Sequence, residues 1–330
     1  MIYDCFSFFN ELDLLEIRLN VLKDVVDRFV IAEATRTHRG RPKELLFEKF
    51  RERYAEFADK IIYIVVDDLL PEDEVLKDAF NSPWINENRQ RNALSKGLSA
   101  LSDDDLFMVS DLDEIPRPEA VVGAVERARR GEIVRFVEDV FSYFVNFKNY
   151  KCPKWFLGTQ MLSMRTLRCD RRFDNYEYGR FVVASESAGH TMCQVRFMKS
   201  DRNVKNGGWH MGYLGGVNAI RAKLKAFAHS EASTVADTVE ERLRLGQNIF
   251  GGRRDNFAIK LDQSFPSYLL GNQERFAHLI FPCDDTYMRR TWFARRMAWM
   301  VGAVYRLCVA LIPKPLVSPL SKLMIRMHFR

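Results

Sequence analysis

Four short apolar runs alternate with stretches of helical periodicity over the first 115 residues, and this alternation restricts the chain more than any other feature. The runs cover residues 2–9, 28–34, 60–66 and 106–110. Between the first two, Leu12, Leu15, Leu19 and Leu22 recur along one helix face, with Glu16, Arg18 and Lys23 between them. Residues 47–58 and 84–101 read as further helices. Such alternation builds a doubly wound α/β fold, a mostly parallel sheet with helices on its faces. Each run ends in polar residues, and in open sheets the ligand crevice lies off the carboxyl ends of the strands. A site is therefore expected near Asn10 and Glu11, near Glu33 and Arg36, and near Asp111, Asp113 and Glu114. No Gly-x-Gly-x-x-Gly follows the first run and no Walker-type loop occurs, which argues against a dinucleotide fold and a P-loop.

The fourth run stops at Ser110-Asp-Leu-Asp-Glu-Ile-Pro116. If extended geometry continues, Asp111 and Asp113 are two residues apart and point to one side. Two converging carboxylates suit a hard divalent cation, Mn or Mg, that keeps its waters and grips a diphosphate. The competing reading is a solvated acidic turn leading into a helix at Pro116.

Past this point, residues 118–130 read as a helix closed by Gly131, and residues 133–147 as a strand pair or bent strand rich in aromatics. Short strands are expected at 157–167, 181–184 and 194–198. A glycine-dense loop is expected at 207–216, with helices at 217–227 and 238–249. With no internal repeat and no low-complexity linker, the expected organisation is one domain over residues 1–285 and an extension over 286–330.

The charge is uneven. Residues 288–330 hold nine Lys or Arg and no Asp or Glu, more than the whole net charge of +6, so the remainder is slightly acidic. That pattern argues against a nucleic-acid binder and marks one basic C-terminal element. Its Trp292, Phe293, Trp299, Leu307, Leu311 and Leu316, mixed with arginines and lysines, read as an amphipathic helical segment lying on a membrane. Packing of that segment on the domain's own surface is the alternative. No stretch reaches the ~18 apolar residues of a membrane span, and Met1 runs straight into a strand without a signal-peptide pattern. A cytoplasmic protein, peripheral at the membrane face, is expected. The six cysteines show no zinc-knuckle or Cys-x-x-Cys spacing and are expected to be reduced.

Five strings occur in order: residues 9–20 (Phe-Asn-Glu-Leu-Asp-Leu-Leu-Glu-Ile-Arg-Leu-Asn), residues 30–43 (Val-Ile-Ala-Glu-Ala-Thr-Arg-Thr-His-Arg-Gly-Arg-Pro-Lys), Asn86-Glu-Asn-Arg-Gln-Arg91, residues 110–116 and Gly208-Trp-His210. Together they resemble glycosyltransferase family seventeen, over residues 1 to about 280. The resemblance implies a GT-A-like fold, with a mixed sheet flanked by helices; the basic C-terminal extension is a departure from the family's animal members. The resemblance further implies a nucleotide-sugar donor (UDP-N-acetylglucosamine), a divalent metal, inversion at the anomeric carbon and a glycan or lipid-linked acceptor. Asp111, Asp113 and His210 are the expected metal residues. Asn10, Glu11, Glu33, Arg36, Arg91, Asp111 and Trp209 are the expected donor contacts, Arg91 for phosphate and Trp209 for stacking on a sugar. Inverting transfer needs a carboxylate base. Of Glu138, Asp139, Asp174, Glu177, Glu186 and Glu231, the choice is Glu186, in its Ser-Glu-Ser-Ala-Gly-His turn. Two rival readings are a non-catalytic sugar- or membrane-binding scaffold and a nucleotidyltransferase. The latter would want a basic or glycine-rich loop where Asn10-Glu-Leu-Asp13 stands.

Overall fold

A computed structural model describes residues 1–78, 82–173, 192–228, 235–249 and 251–311. The four apolar runs are strands β1 (Ile2–Phe8), β2 (Arg28–Ala34), β3 (Ile61–Val66) and β4 (Leu106–Asp111). They lie in the order β4-β1-β2-β3 and are all parallel, with Cys5 paired to both Val30 and Val109. Beyond them come β5 (Glu114–Pro116), β6 (Val134–Ser142), β7 (Phe147–Asn149), β8 (Lys154–Trp155), β9 (Gln160–Ser163), β10 (Arg202–Gly212) and β11 (Asn256–Ala258). Strand β9 runs antiparallel between β4 and β6, so the 11-stranded sheet is mixed.

The helices are α1 (Leu12–Leu22), α2 (Leu46–Lys49), α3 (Glu72–Lys77), α4 (Ser82–Ala93), α5 (Pro118–Arg129), α6 (Met164–Cys169), α7 (Met192–Phe197), α8 (Gly216–Ala226), α9 (Val239–Leu245), α10 (Ser267–Gly271) and α11 (Asp285–Leu311). They cover both faces of the sheet. Phe6, Phe8, Phe29 and Ile31 bury against Leu15 and Leu19 of α1 and Val121 and Ala124 of α5. The alternate residues Cys5, Val30, Ala32 and Val109 bury on the opposite face with Ala93, Leu94 and Leu98. Burial on both sides explains why these strands read as continuous apolar runs.

Several expectations are corrected. Residues 194–197 are helical, within α7, and Met198 follows it, because Met192, Val195 and Met198 bury into one core at a spacing of three. The 157–167 run gives only β9. Ser163 then caps α6, its Oγ accepting the Thr166 N–H at 3.1 Å. The expected 181–184 strand lies outside the described residues. The largest correction concerns the glycine-dense loop at 207–216, most of which is strand β10. Its glycines serve strand packing. A Cβ on Gly208 would stand 2.2 Å from the Ile115 carbonyl oxygen, and one on Gly207 would stand 2.7 Å from Phe136 Cα. Strand β10 is thereby pressed between β5 and β6.

Arg18 departs furthest from its sequence reading. On a helix expected to show solvent a polar face, its side chain is fully buried. Nε and Nη2 donate to Asp4 at 2.8 and 2.6 Å, and Nη2 also donates to Ser110 Oγ at 2.6 Å. Nη1 donates to the carbonyls of Asp111, Leu112 and Glu114 at 3.0, 3.1 and 2.8 Å. One guanidinium thus ties β1 to the turn after β4. We expect Arg18→Met to cost about 3–5 kcal/mol in urea unfolding, since it strands the Asp4 carboxylate in the core. Arg18→Lys should recover only part of that loss, because an ammonium lacks the planar fork. A loss below about 1 kcal/mol, the range of an exposed pair, would contradict this account.

Candidate active site

Where β1, β2 and β4 end, the structure opens a cavity of about 270 Å³. Glu11, Arg36, His38 and Lys43 line it from the loops after β1 and β2. Glu87, Gln90 and Arg91 reach it from α4, Asp111, Asp113 and Glu114 from the end of β4, and His210 and Lys223 from β10 and α8. The polar clusters at the strand ends therefore do converge, as the alternation of runs and helices implied.

The strand does not continue straight through the acidic string. β4 stops at Asp111, and Leu112 and Asp113 form a turn before β5. Both aspartates still face the cavity, because Arg18 clamps the turn from beneath. Each carries a cationic partner. Arg91 Nη2 donates to Asp111 Oδ1 at 2.8 Å, and Arg196 Nη2 lies 3.7 Å from Asp111 Oδ2. Burial alone would raise the Asp111 pKa, but Arg91 and Arg196 outweigh it and hold the carboxyl well below the usual carboxylate range. Lys223 sits between Glu11 and Asp113 at 2.8 and 3.1 Å. Burial opposes its charge, and these two carboxylates raise its pKa above the ordinary value of a lysine.

Glu114 is fully buried and committed to protein partners. Oε1 accepts from Trp155 Nε1 at 2.6 Å and from Arg196, and Oε2 accepts the Asp111 N–H at 3.2 Å. Burial pushes its pKa up to about 7, against the pull of Arg196 and with the help of Asp111 and Asp113. It shapes the turn. His210 packs against Trp155 with ring centroids 4.7 Å apart and planes tilted by 35°. Its Nε2 lies 3.7 Å from Asp113 Oδ1, beyond hydrogen-bond distance, and its Nδ1 is buried with no bonding partner.

Three expected donor contacts are placed elsewhere. Glu33 is turned away from the cavity and fully buried. It accepts from Lys43 Nζ, the N–H groups of Leu46 and Phe47, and the Tyr63 hydroxyl, so it anchors the start of α2. Trp209 alternates with His210 along β10 and therefore faces the core. Its Nε1 donates to the Ser264 carbonyl, and Arg117 lies 4.0 Å over its ring. Asn10 adjoins the cavity without lining it, and its backbone N–H donates to Glu11. Glu186, with Asp174, Glu177 and Glu231, lies outside the described residues. Glu138 and Asp139, the other candidate bases, do not line the cavity. Asp139 pairs with Lys148 and Lys154, both at 3.0 Å. Sequence reasoning missed Lys223, Arg196, Lys43, His38 and Trp155. Of these, Lys43 and His38 lie inside the 30–43 string already singled out.

The donor set can be tested for a divalent metal. Among the described residues, no three His, Cys, Asp or Glu side chains converge as a ligand cluster. A hard cation that keeps its waters needs only one or two carboxylates when a diphosphate supplies the remaining oxygens. Asp111 and Asp113 meet that lesser demand, on condition that Lys223 yields Asp113.

Glu138 gives a test of this electrostatic picture away from the cavity. Burial, then Glu114, raises its pKa well above 4.5. Its Oε1 accepts from Thr159 while Oε2 is buried and unpaired. A carboxyl with a raised folded pKa holds more protons folded than unfolded, so its contribution to stability falls as pH rises above the unfolded value. Glu138→Gln should therefore be more stable than wild type at pH 8, with the gap closing as pH falls through about 4.5. Urea midpoints across that range decide it, and a gap independent of pH would refute the assignment.

Residues 1–126 match the family model described as Glycosyltransferase family 17. Over 122 residues the chain is 34% identical to the human and rat β-1,4-mannosyl-glycoprotein 4-β-N-acetylglucosaminyltransferases (Homo sapiens, Rattus norvegicus) and 33% identical to that of Mus musculus. The matched stretch is 34% of this chain and 21% of each relative, so the chain spans about a fifth of their length. The solved structure of S. aureus TarS 1–349 aligns over 93% of this chain and 91% of its own, with 11% identity and a TM-score of 0.34. At that score the fold stands on this chain's own topology. Four of the five ordered strings fall inside the matched region, which carries β1 to β4 and both cavity aspartates, and these first 126 residues match glycosyltransferase family 17.

Proposed function

We propose that this chain is a GT-A-like, inverting glycosyltransferase. It would move a sugar, N-acetylglucosamine in our reading, from a UDP-sugar to a hydroxyl of a glycan or lipid-linked glycan at the cytoplasmic face of a membrane. The observation that carries this reading is the convergence of Asp111 and Asp113 on one cavity that Arg36, Lys43, Arg91 and Lys223 also line. Carboxylates alone would repel a diphosphate. Interleaved with cations, they form a frame that a diphosphate can enter.

Asp111 and Asp113 would hold a Mn or Mg ion, which when bound supplies Lewis-acid neutralisation of the departing diphosphate. Arg91, whose fork holds Glu87 and Asp111, lines the cavity where phosphate oxygens would enter. Lys223, once released from Asp113, is placed to meet the same anion. His210 and Trp155 wall the cavity beside the aspartates. Glu186 remains our proposed base. It takes the proton of the acceptor hydroxyl as the new C–O bond forms and the bond to the diphosphate breaks, its electron pair leaving with the diphosphate.

Two experiments test this. A panel of nucleotide sugars is titrated calorimetrically with manganese and with chelator, on wild type and on Asp113→Ala. One donor should bind with metal and be lost in the variant. If none binds with metal present, the proposal fails and a non-catalytic scaffold takes its place. Lys223→Met should weaken that donor by roughly tenfold, the scale of one charge-assisted contact. Unchanged donor affinity would remove Lys223 from the site.

A further inference from the structure

Helix α11 shows its apolar side to solvent. The side packed on the domain is small and polar. Thr291 and Ala298 are buried there, and a Cβ on Gly302 would stand 2.0 Å from the Lys151 carbonyl oxygen. Arg306 donates to that carbonyl at 2.8 Å, and Arg295 donates to the Tyr150 hydroxyl at 3.3 Å. On the outer side Phe293, Met297, Met300, Val304 and Leu307 follow spacings of four, three, four and three, which is one continuous stripe. Phe293 is 68% exposed and Leu307 62%. Trp292 and Trp299, a heptad apart, are also more than half exposed. An ordinary surface helix would turn this stripe inward.

We infer that this face of α11 docks on an anionic lipid surface, lying flat with its apolar stripe in the headgroup–acyl boundary. Charge selects the occupant. Arg289, Arg290 and Arg296 are exposed around the N-terminal half of the stripe, and residues 286–330 contain no Asp or Glu. Two copies meeting through the stripe would set arginine against arginine, and the one carboxylate of each helix, Asp285 at its first residue, is already paired with Lys260 at 2.6 Å. An anionic bilayer meets both needs at once, taking the apolar stripe and attracting the guanidiniums. The two tryptophans suit the interfacial level, where an amphipathic ring is favoured. The 27 residues make a rod about 40 Å long. No helix among the described residues is long and apolar enough to cross a membrane, so contact along the surface is the mode that fits. The inference rests on α11 alone and holds whatever the cavity binds.

The test is flotation of the full chain with vesicles of phosphatidylcholine plus phosphatidylglycerol, against phosphatidylcholine alone. Binding should require the anionic lipid and weaken as salt rises. Replacing Arg289, Arg290 and Arg296 together by Gln should lower partitioning by roughly a hundredfold. Phe293→Asp with Leu307→Asp should abolish it while circular dichroism is unchanged. Should the aspartate variant misfold, brominated lipid gives an independent readout. It should quench wild-type tryptophan fluorescence, and Trp292→Phe with Trp299→Phe should remove most of that quenching. The inference is overturned by no flotation, by equal flotation on both lipids, or by quenching that survives the double Trp replacement. A concentration-dependent dimer in light scattering, lost in Phe293→Asp and with no vesicle binding, would overturn it in favour of self-association.

Discussion

The Arg18 guanidinium is the interaction on which the site depends. A chain that turns sharply after a buried strand leaves carbonyl groups pointing inward, where no water can satisfy them. Here three of those carbonyls, from Asp111, Leu112 and Glu114, accept from one nitrogen of Arg18. Asp4 supplies the countercharge from the adjacent strand, and the Phe6 ring lies 4.3 Å beneath the fork. A buried pair of this kind is weak evidence for stability, since desolvation offsets much of its attraction. Its consequence is geometric: the turn is held in one shape, and both aspartates project into the cavity.

Above that turn, charge is balanced nearly group by group. Arg91 answers Glu87 and Asp111, Lys223 answers Glu11 and Asp113, and Arg196 answers Glu114. The arrangement keeps five acids around one cavity without leaving them to repel each other. Under the proposed function, an incoming diphosphate with its cation would take over partners that these side chains now give one another. His210 lines the cavity beside them, its Nε2 3.7 Å from Asp113 and its buried Nδ1 without a hydrogen-bond partner.

The glycines near residue 207 and the helix α11 show how composition misleads when read without a fold. Glycines beside Trp209 and His210 suggested a loop opening onto a ligand. In the structure they let β10 pass close to β5 and Phe136, and the strand so placed brings His210 to the cavity wall. The C-terminal segment was read as amphipathic, and it is. The packed side, however, is the small, polar one, because Gly302 allows close approach to Lys151.

The parallel strand set and its order of appearance were legible in the sequence, because burial on both faces leaves continuous apolar runs between helical periods. The acidic string at 110–116 and the polar strand ends were legible for the same reason, since clusters of polar residues follow where those runs stop. Whether Glu33 faces inward or outward was not legible, for strand alternation decides it and the neighbouring residues are all apolar. Arg36 and Arg91 were legible beside the strand ends, but Lys223 and Arg196 were out of reach of any linear reading. Lys223 lies 110 residues from Asp113 and Arg196 lies 82 from Glu114. On their own helices both look like ordinary solvated basic residues. Only the packing of α7 and α8 against the end of β4 brings them within bonding distance, where low local solvation turns proximity into a strong electrostatic claim.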